Sequence, residues 1–203
     1  MMALSDQEMA MEQFGSGSHI TLFPVDMTNT DTKALSGAFF FLLFGRRGVE
    51  VALCCGSCGV LAEIPAGDVI IPVRALRDEG ASYKYLPPSR YVELDKRPVE
   101  VFRQVLTEKG IPYVECTTWS TDGFYRETKD MVEHRISQGC QAVEMECSTM
   151  AAVARFRGKL FGQLLYSGDI LVGNEEYDDR NWFGNLSARE RIFWITLEAL
   201  VRI

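Results

Sequence analysis

Five short runs of apolar residues, each nearly continuous rather than alternating, constrain this chain more than any other feature. They are His19–Pro24, Val49–Cys55, Val69–Val73, Ile111–Thr118 and Leu160–Tyr166. A strand with one wet face alternates apolar and polar residues, whereas a strand covered on both faces does not. The pattern therefore predicts a sheet lying between layers of helix. Helical patterns do fall between the runs. Lys33–Arg47 is apolar and closes at Gly48. Arg97–Lys109 carries the stripe Val99, Phe102, Val105 and Leu106, with Pro98 near its start and Gly110 after its end. Arg126–Gln138 stops at Gly139 and Glu146–Arg157 at Gly158. Ser187–Glu190 reads as a capping box opening a last helix. Strands alternating with helices indicate an α/β layered fold. Two segments stand outside this alternation: the polar, aromatic Arg74–Tyr91 and the acidic Gly173–Leu186. Long loops in compact domains tend to be functional or mobile.

At 203 residues, with 47% hydrophobic and 24% charged side chains, the chain has the balance of an ordinary globular protein. A net charge of −7 argues against duplex nucleic acid or an anionic membrane surface as a partner. The longest apolar stretch, Ala38–Phe44, is far short of the ~20 residues that span a bilayer. The first residues show no basic region followed by an apolar core, so no secretory signal is expected. Six cysteines in apolar surroundings then read as reduced thiols in a cytoplasm.

Four motifs carry chemistry. Cys54–Gly59 (CCGSCG) follows a strand and contains C-x-x-C between Cys55 and Cys58. A redox dithiol would need that motif exposed at a helix N-terminus. A zinc site would need further ligands, but the other cysteines are single and the only histidines are His19 and His134. A papain-type nucleophile segment would need an aromatic residue where Gly59 stands. Another reading makes Gly56, Ser57 and Gly59 a tight turn at a strand's C-terminal end, where backbone N–H groups and a hydroxyl can receive an anion. A plain glycine turn beside buried cysteines is its bland counterpart. In Val143–Cys147 (VEMEC), two glutamates flank a methionine at a helix start. A carboxylate accepts from vicinal sugar hydroxyls and Met offers a soft apolar face; a solvated first-turn Glu is the alternative. Ser167-Gly168-Asp169 places an acid at a strand end, suited to proton transfer or to capping. Thr118–Arg126 (TWSTDGFYR) supplies aromatic rings for stacking or for core packing.

Taken together, GSCGVL, GDVIIP, RDEGASYKYLPPS, WSTDGFYRET, AVEMEC and LLYSGD resemble the nucleoside phosphorylase family, which includes purine nucleoside phosphorylase and uridine phosphorylase. The resemblance covers about Val49–Ile203 and leaves residues 1–48 divergent within a single domain. It implies a three-layer α/β/α fold around a mixed, partly barrel-like sheet. It also implies phosphorolysis of a nucleoside to free base and ribose 1-phosphate, without metal or organic cofactor and with phosphate as co-substrate. Dimers or trimers of dimers are implied as well. By position, Ser57 donates to phosphate, and Cys58, Gly59 and Trp119 surround the base. Met145 packs on the ribose and Glu146 holds its hydroxyls. Glu144 belongs to the same motif and is grouped with the base. Asp169 protonates the leaving base, which favours a purine, and Arg191 assists it. The chain departs from the family at its N-terminal phosphate loops and at Cys54, where an arginine is expected; Arg74, Arg77, Arg90 or a neighbouring subunit could stand in. A nucleosidase using water, or an inactive nucleoside-binding protein, are the alternatives on the same fold.

Overall fold

In a computed structural model of the chain, the structure describes residues 49–172 and 186–203. Expectations for His19–Pro24, Lys33–Arg47 and the acidic run Glu175–Arg180 lie outside the described residues. Six strands form one mixed sheet: β1 (Val51–Val60), β2 (Val69–Asp78), β3 (Tyr91–Glu93), β4 (Tyr113–Thr121), β5 (Cys140–Glu144) and β6 (Leu160–Ile170). Among the described residues, four α-helices accompany them: α1 (Lys96–Glu108), α2 (Lys129–Ser137), α3 (Cys147–Phe156) and α4 (Leu186–Arg202).

The sheet order is β3-β2-β4-β5-β1-β6, and β6 also pairs with β2. That last pairing, Val69 with Tyr166 and Ile70 with Leu165, is antiparallel and closes five strands on themselves. β3 remains outside as an edge strand on β2. Closure removes open edges from the other five strands. β2, β4 and β5 run parallel to one another, and β1 runs parallel to β6 but antiparallel to β5.

Packing follows from this topology. Small and branched residues drawn from all five closed strands meet in one cluster: Cys58, Val60, Ile70, Cys116, Ala142 and Leu165. A larger cluster joins Phe102 and Val105 of α1, Met150 and Val153 of α3, and Ile192 and Ile195 of α4 to Phe161 and Leu164 of β6. Val132 of α2 belongs to a third cluster, with Leu76, Trp119 and Val143. Strands buried on both faces need no alternation, which accounts for the continuous apolar runs. Gly110, Gly139 and Gly158 take φ of 64°, 84° and 66° and end α1, α2 and α3 as their sequence positions suggest. Among the described residues, no helix is long and apolar enough to cross a membrane.

Three expectations are corrected. CCGSCG is not a turn: β1 runs unbroken through Val60, so Gly56, Ser57 and Gly59 are strand residues. Cys55 pairs with Leu164 and Ser57 with Tyr166 in a parallel ladder, and that ladder overrides the weak strand preference of Gly and Ser. The ladder to β6 shifts register between Cys58 and Val60 and resumes with Val60 opposite Ile170, while Gly59 and Val60 also pair with Val143 and Ala142 of β5. The Arg74–Tyr91 loop is shorter than expected, because β2 continues to Asp78 and β3 starts at Tyr91. VEMEC opens the helix only at its last residues: Val143 and Glu144 end the short strand β5, Glu146 is the N-cap, and the helix begins at Cys147.

Candidate active site

The parallel strands β2, β4 and β5 end side by side, with Asp78 in register with Thr121 and Ser120 with Glu144. Ligands of α/β sheets bind beyond such carboxyl ends. The turn Met145–Glu146 leaves β5 there and enters α3, and both residues are half-buried. Glu144, by contrast, is 6% exposed. One of its oxygens accepts from Ser120 Oγ at 2.5 Å and from Thr118 Oγ1 at 3.4 Å. The other accepts the backbone N–H groups of Glu146 at 2.8 Å and Cys147 at 2.6 Å. Burial pushes the Glu144 carboxyl up, against the opposing pull of Ser120 and the two backbone donors. Glu144, expected near the base, thus has both oxygens committed to protein donors that shape the turn.

β1 runs past this turn. Burial raises the Cys54 thiol, with smaller upward contributions from Cys55, Glu146 and Glu144. Further along, Cys58 is 4% exposed and donates to the Tyr166 carbonyl at 3.6 Å. Its thiol is raised by burial and then by Cys116, Glu144 and Asp169. Gly59 is buried where space is short. A Cβ there would stand 2.7 Å from Leu171 Cδ1, 2.9 Å from Val143 Cγ1 and 3.4 Å from Asp169 Oδ1. Cys58, Gly59 and Asp169 are therefore neighbours, as the sequence reading groups them. Ser57 is half-buried on the same strand. Cys55 and Cys58 are three residues apart in a strand, so they face opposite sides and join different clusters. A span of ~10 Å along the strand also exceeds disulfide reach. The redox reading of C-x-x-C is thereby excluded for this conformation.

Trp119 is 1% exposed, packed with Leu61, Leu76, Val132 and Val143. Its indole N–H donates to Asp78 at 2.9 Å, and Arg135 reaches the same carboxylate at 2.6 Å while lying over the ring. The open rings beyond this end of β4 are Phe124 and Tyr125, 47% and 91% exposed, which pack edge to face. Arg191 donates to the Gly67 carbonyl, and Gly67 in turn donates to the Ser167 carbonyl at 2.8 Å. That brings Arg191 to the loop braced against Ser167, two residues before Asp169.

The arginines considered as phosphate partners are held elsewhere. Arg77 is 1% exposed and donates to Ser82, Ser89 and the Pro87 carbonyl, folding the loop after β2 around itself. Arg74 donates twice to Thr117 Oγ1 and lies over Tyr91, and Arg90 donates to Gln138. Sequence reasoning missed Glu79, Ser120, Ser148 and Thr149, which are all buried beside the turn. The one signal for Glu79 is an acid directly after a strand, inside RDEGASYKYLPPS.

The Phosphorylase superfamily matches residues 32–197 of this chain. The chain belongs to that superfamily. Among superfamily relatives, a guanosine phosphorylase of Halorubrum lacusprofundi is 28% identical over 163 residues, covering 78% of this chain and 68% of its own length. A DeoD-type purine nucleoside phosphorylase of Brevibacillus brevis is 30% identical over 145 residues, covering 68% of this chain and 60% of its own. The fold matches the P. knowlesi homologue of P. falciparum PNP with TM-score 0.68 and 21% identity, over 82% of this chain and 66% of that one. It matches an AMP nucleosidase of Bacteroides thetaiotaomicron with TM-score 0.67 and 20% identity, over 83% and 66%. The chain thus spans about two thirds of the length of these proteins. The α/β fold with a mixed sheet is that of the nucleoside phosphorylases.

Proposed function

We propose that this superfamily member cleaves the N-glycosidic bond of a nucleoside, a purine nucleoside by preference, with phosphate as co-substrate. The observation that carries the reading is at one end of β5: the half-buried Met145–Glu146 turn leaves the strand there, and Gly59 of β1 pairs with Val143 of the same strand and borders Asp169. A sugar and a base have distinct places there.

Glu146 accepts from the ribose hydroxyls and Met145 covers the sugar's apolar face. Ser57 donates to phosphate. Cys58 and Gly59 line the base, Phe124 and Tyr125 offer exposed aromatic rings beyond β4, and Glu144 fixes the turn that carries Glu146. Cleavage builds positive charge on the sugar ring and negative charge on the base. Glu146 and phosphate favour the first, and a proton from Asp169, assisted by Arg191, neutralises the second. This polarisation calls for neither metal nor organic cofactor. A homo-oligomer is the assembly that the family resemblance implies. Hydrolysis is the second reading, favoured by one observation: Arg74, Arg77 and Arg90 are all spent on protein partners.

Base release from a panel of nucleosides, with and without phosphate, tests both readings. Release that depends on phosphate supports the first, release without it the second, and none from a folded protein overturns both. Glu146→Ala is expected to lower kcat/KM by about 100-fold, the loss of hydrogen bonds to a charged acceptor. Full turnover by that variant would remove Glu146 from its role.

A further inference from the structure

A second buried carboxylate sits against the first turn of α3. Glu79, just past the end of β2, is 6% exposed. It accepts Ser148 Oγ at 2.7 Å on one oxygen, and Thr149 Oγ1 at 2.8 Å and the Ser82 backbone N–H at 2.9 Å on the other. Ser148 has a second tie: its N–H donates to Ser120 Oγ at 2.9 Å, and that hydroxyl donates on to Glu144. Glu144 then holds the backbone of Glu146 and Cys147. The bonds form one connected path, from the loop after β2 through Ser148 and Ser120 to the turn that carries Met145 and Glu146.

We infer that Glu79 is a positioning residue for the sugar half of the site, coupling the loop that follows β2 to the placement of Glu146. The inference rests on the proposed role of Glu146. Three donors converge on Glu79 from two separate segments, and only a carboxylate accepts all three. A glutamine keeps the size but turns an amide toward one of those donors. The first turn of α3 then loses a tether on its side chains while its hydrophobic face stays seated. A loosened turn misplaces the sugar acceptor and leaves the base-lining residues of β1 untouched. Small errors in such geometry carry large costs in recognition.

The test separates sugar from base. Calorimetry in phosphate-free buffer measures inosine and hypoxanthine binding to the wild type, Glu79→Gln and Thr149→Val. The last removes one tether with little change of shape and serves if the first fails to fold. Inosine affinity is expected to fall by about tenfold in each variant, with hypoxanthine affinity unchanged. Adding Glu79→Gln to Glu146→Ala is expected to cost nothing further for inosine, because the acceptor it positions is already gone. Equal losses for inosine and hypoxanthine, or no loss for either, would overturn the positioning role while leaving the functional reading in place. A folded wild type that binds neither inosine nor any other nucleoside of the panel would overturn the functional reading, and this role with it.

Discussion

A methyl group at residue 59 would have nowhere to go. Val143 and Leu171 stand within 3 Å of the place it would occupy, and both belong to packed clusters. Gly59→Ala is expected to cost about 1–3 kcal/mol in urea unfolding, the usual cost of overpacking. It should also disturb Asp169, whose carboxylate borders the same space. Two other single residues respond to pH in opposite senses. Burial pushes Glu79 up, but the donors Ser82, Ser148 and Thr149 outweigh it and hold the carboxyl below its ordinary value. Its stabilising contribution is present above the ordinary carboxylate pKa and is lost as pH falls through the lowered native one. Burial instead raises Glu144. Its native form favours the proton, so stability declines as pH rises from the ordinary carboxylate range through the raised native pKa. Urea midpoints followed from acid to neutral pH should therefore show a shallower acid limb in Glu79→Gln, and a smaller decline toward neutral pH in Glu144→Gln.

At the scale of elements, α3 begins without a cap of its own. Its N-cap residue is Glu146, whose side chain makes no capping bond. The N–H groups of residues 146 and 147 go to Glu144 of β5, and that of Ser148 goes to Ser120 of β4. Ser120→Ala leaves a buried N–H and a carboxylate oxygen each short of a partner. It is expected to cost about 1–3 kcal/mol in urea unfolding. This arrangement also explains which elements the sequence made readable. α1 carries its own signals, Pro98 within the first turn and Gly110 past the end, and its observed span differs from the expected one by a single residue at each end. β5 carries none: Cys140–Glu144 is five residues long, two of them polar, and defined by ladders to β4 and β1 that no local pattern encodes. β1 was legible as far as Cys55. Beyond it, the strand is extended by pairing with β6 through residues that favour turns. Met145, Glu146 and Asp169 stand out in the sequence as candidates because their motifs are local. Glu79 and Ser120 do not, since their importance lies in partners 69 and 28 residues away.

Across the whole molecule, all six cysteines are free thiols. Cys58, Cys116, Cys140 and Cys147 are buried, and burial drives their ionisation upward, to about 12 for Cys116 and about 11 for Cys140. Thiolate, not thiol, is the reactive form. A thiol reagent at mildly alkaline pH is therefore expected to count six sulfhydryls in denaturant. In the native protein, these four should remain unreacted until the chain unfolds. A count below six in denaturant without reductant would reveal a crosslink that this structure lacks.

The borrowed cap of α3 has a consequence in time as well as in space. A fragment holding α3 alone contains none of the atoms that fix its first turn. β4 and β5 must already be paired before Glu144 and Ser120 meet the helix. A refolding chain would regain helical signal from its other helices while the Met145–Glu146 turn was still unformed, and that turn would settle only once β4 and β5 had docked.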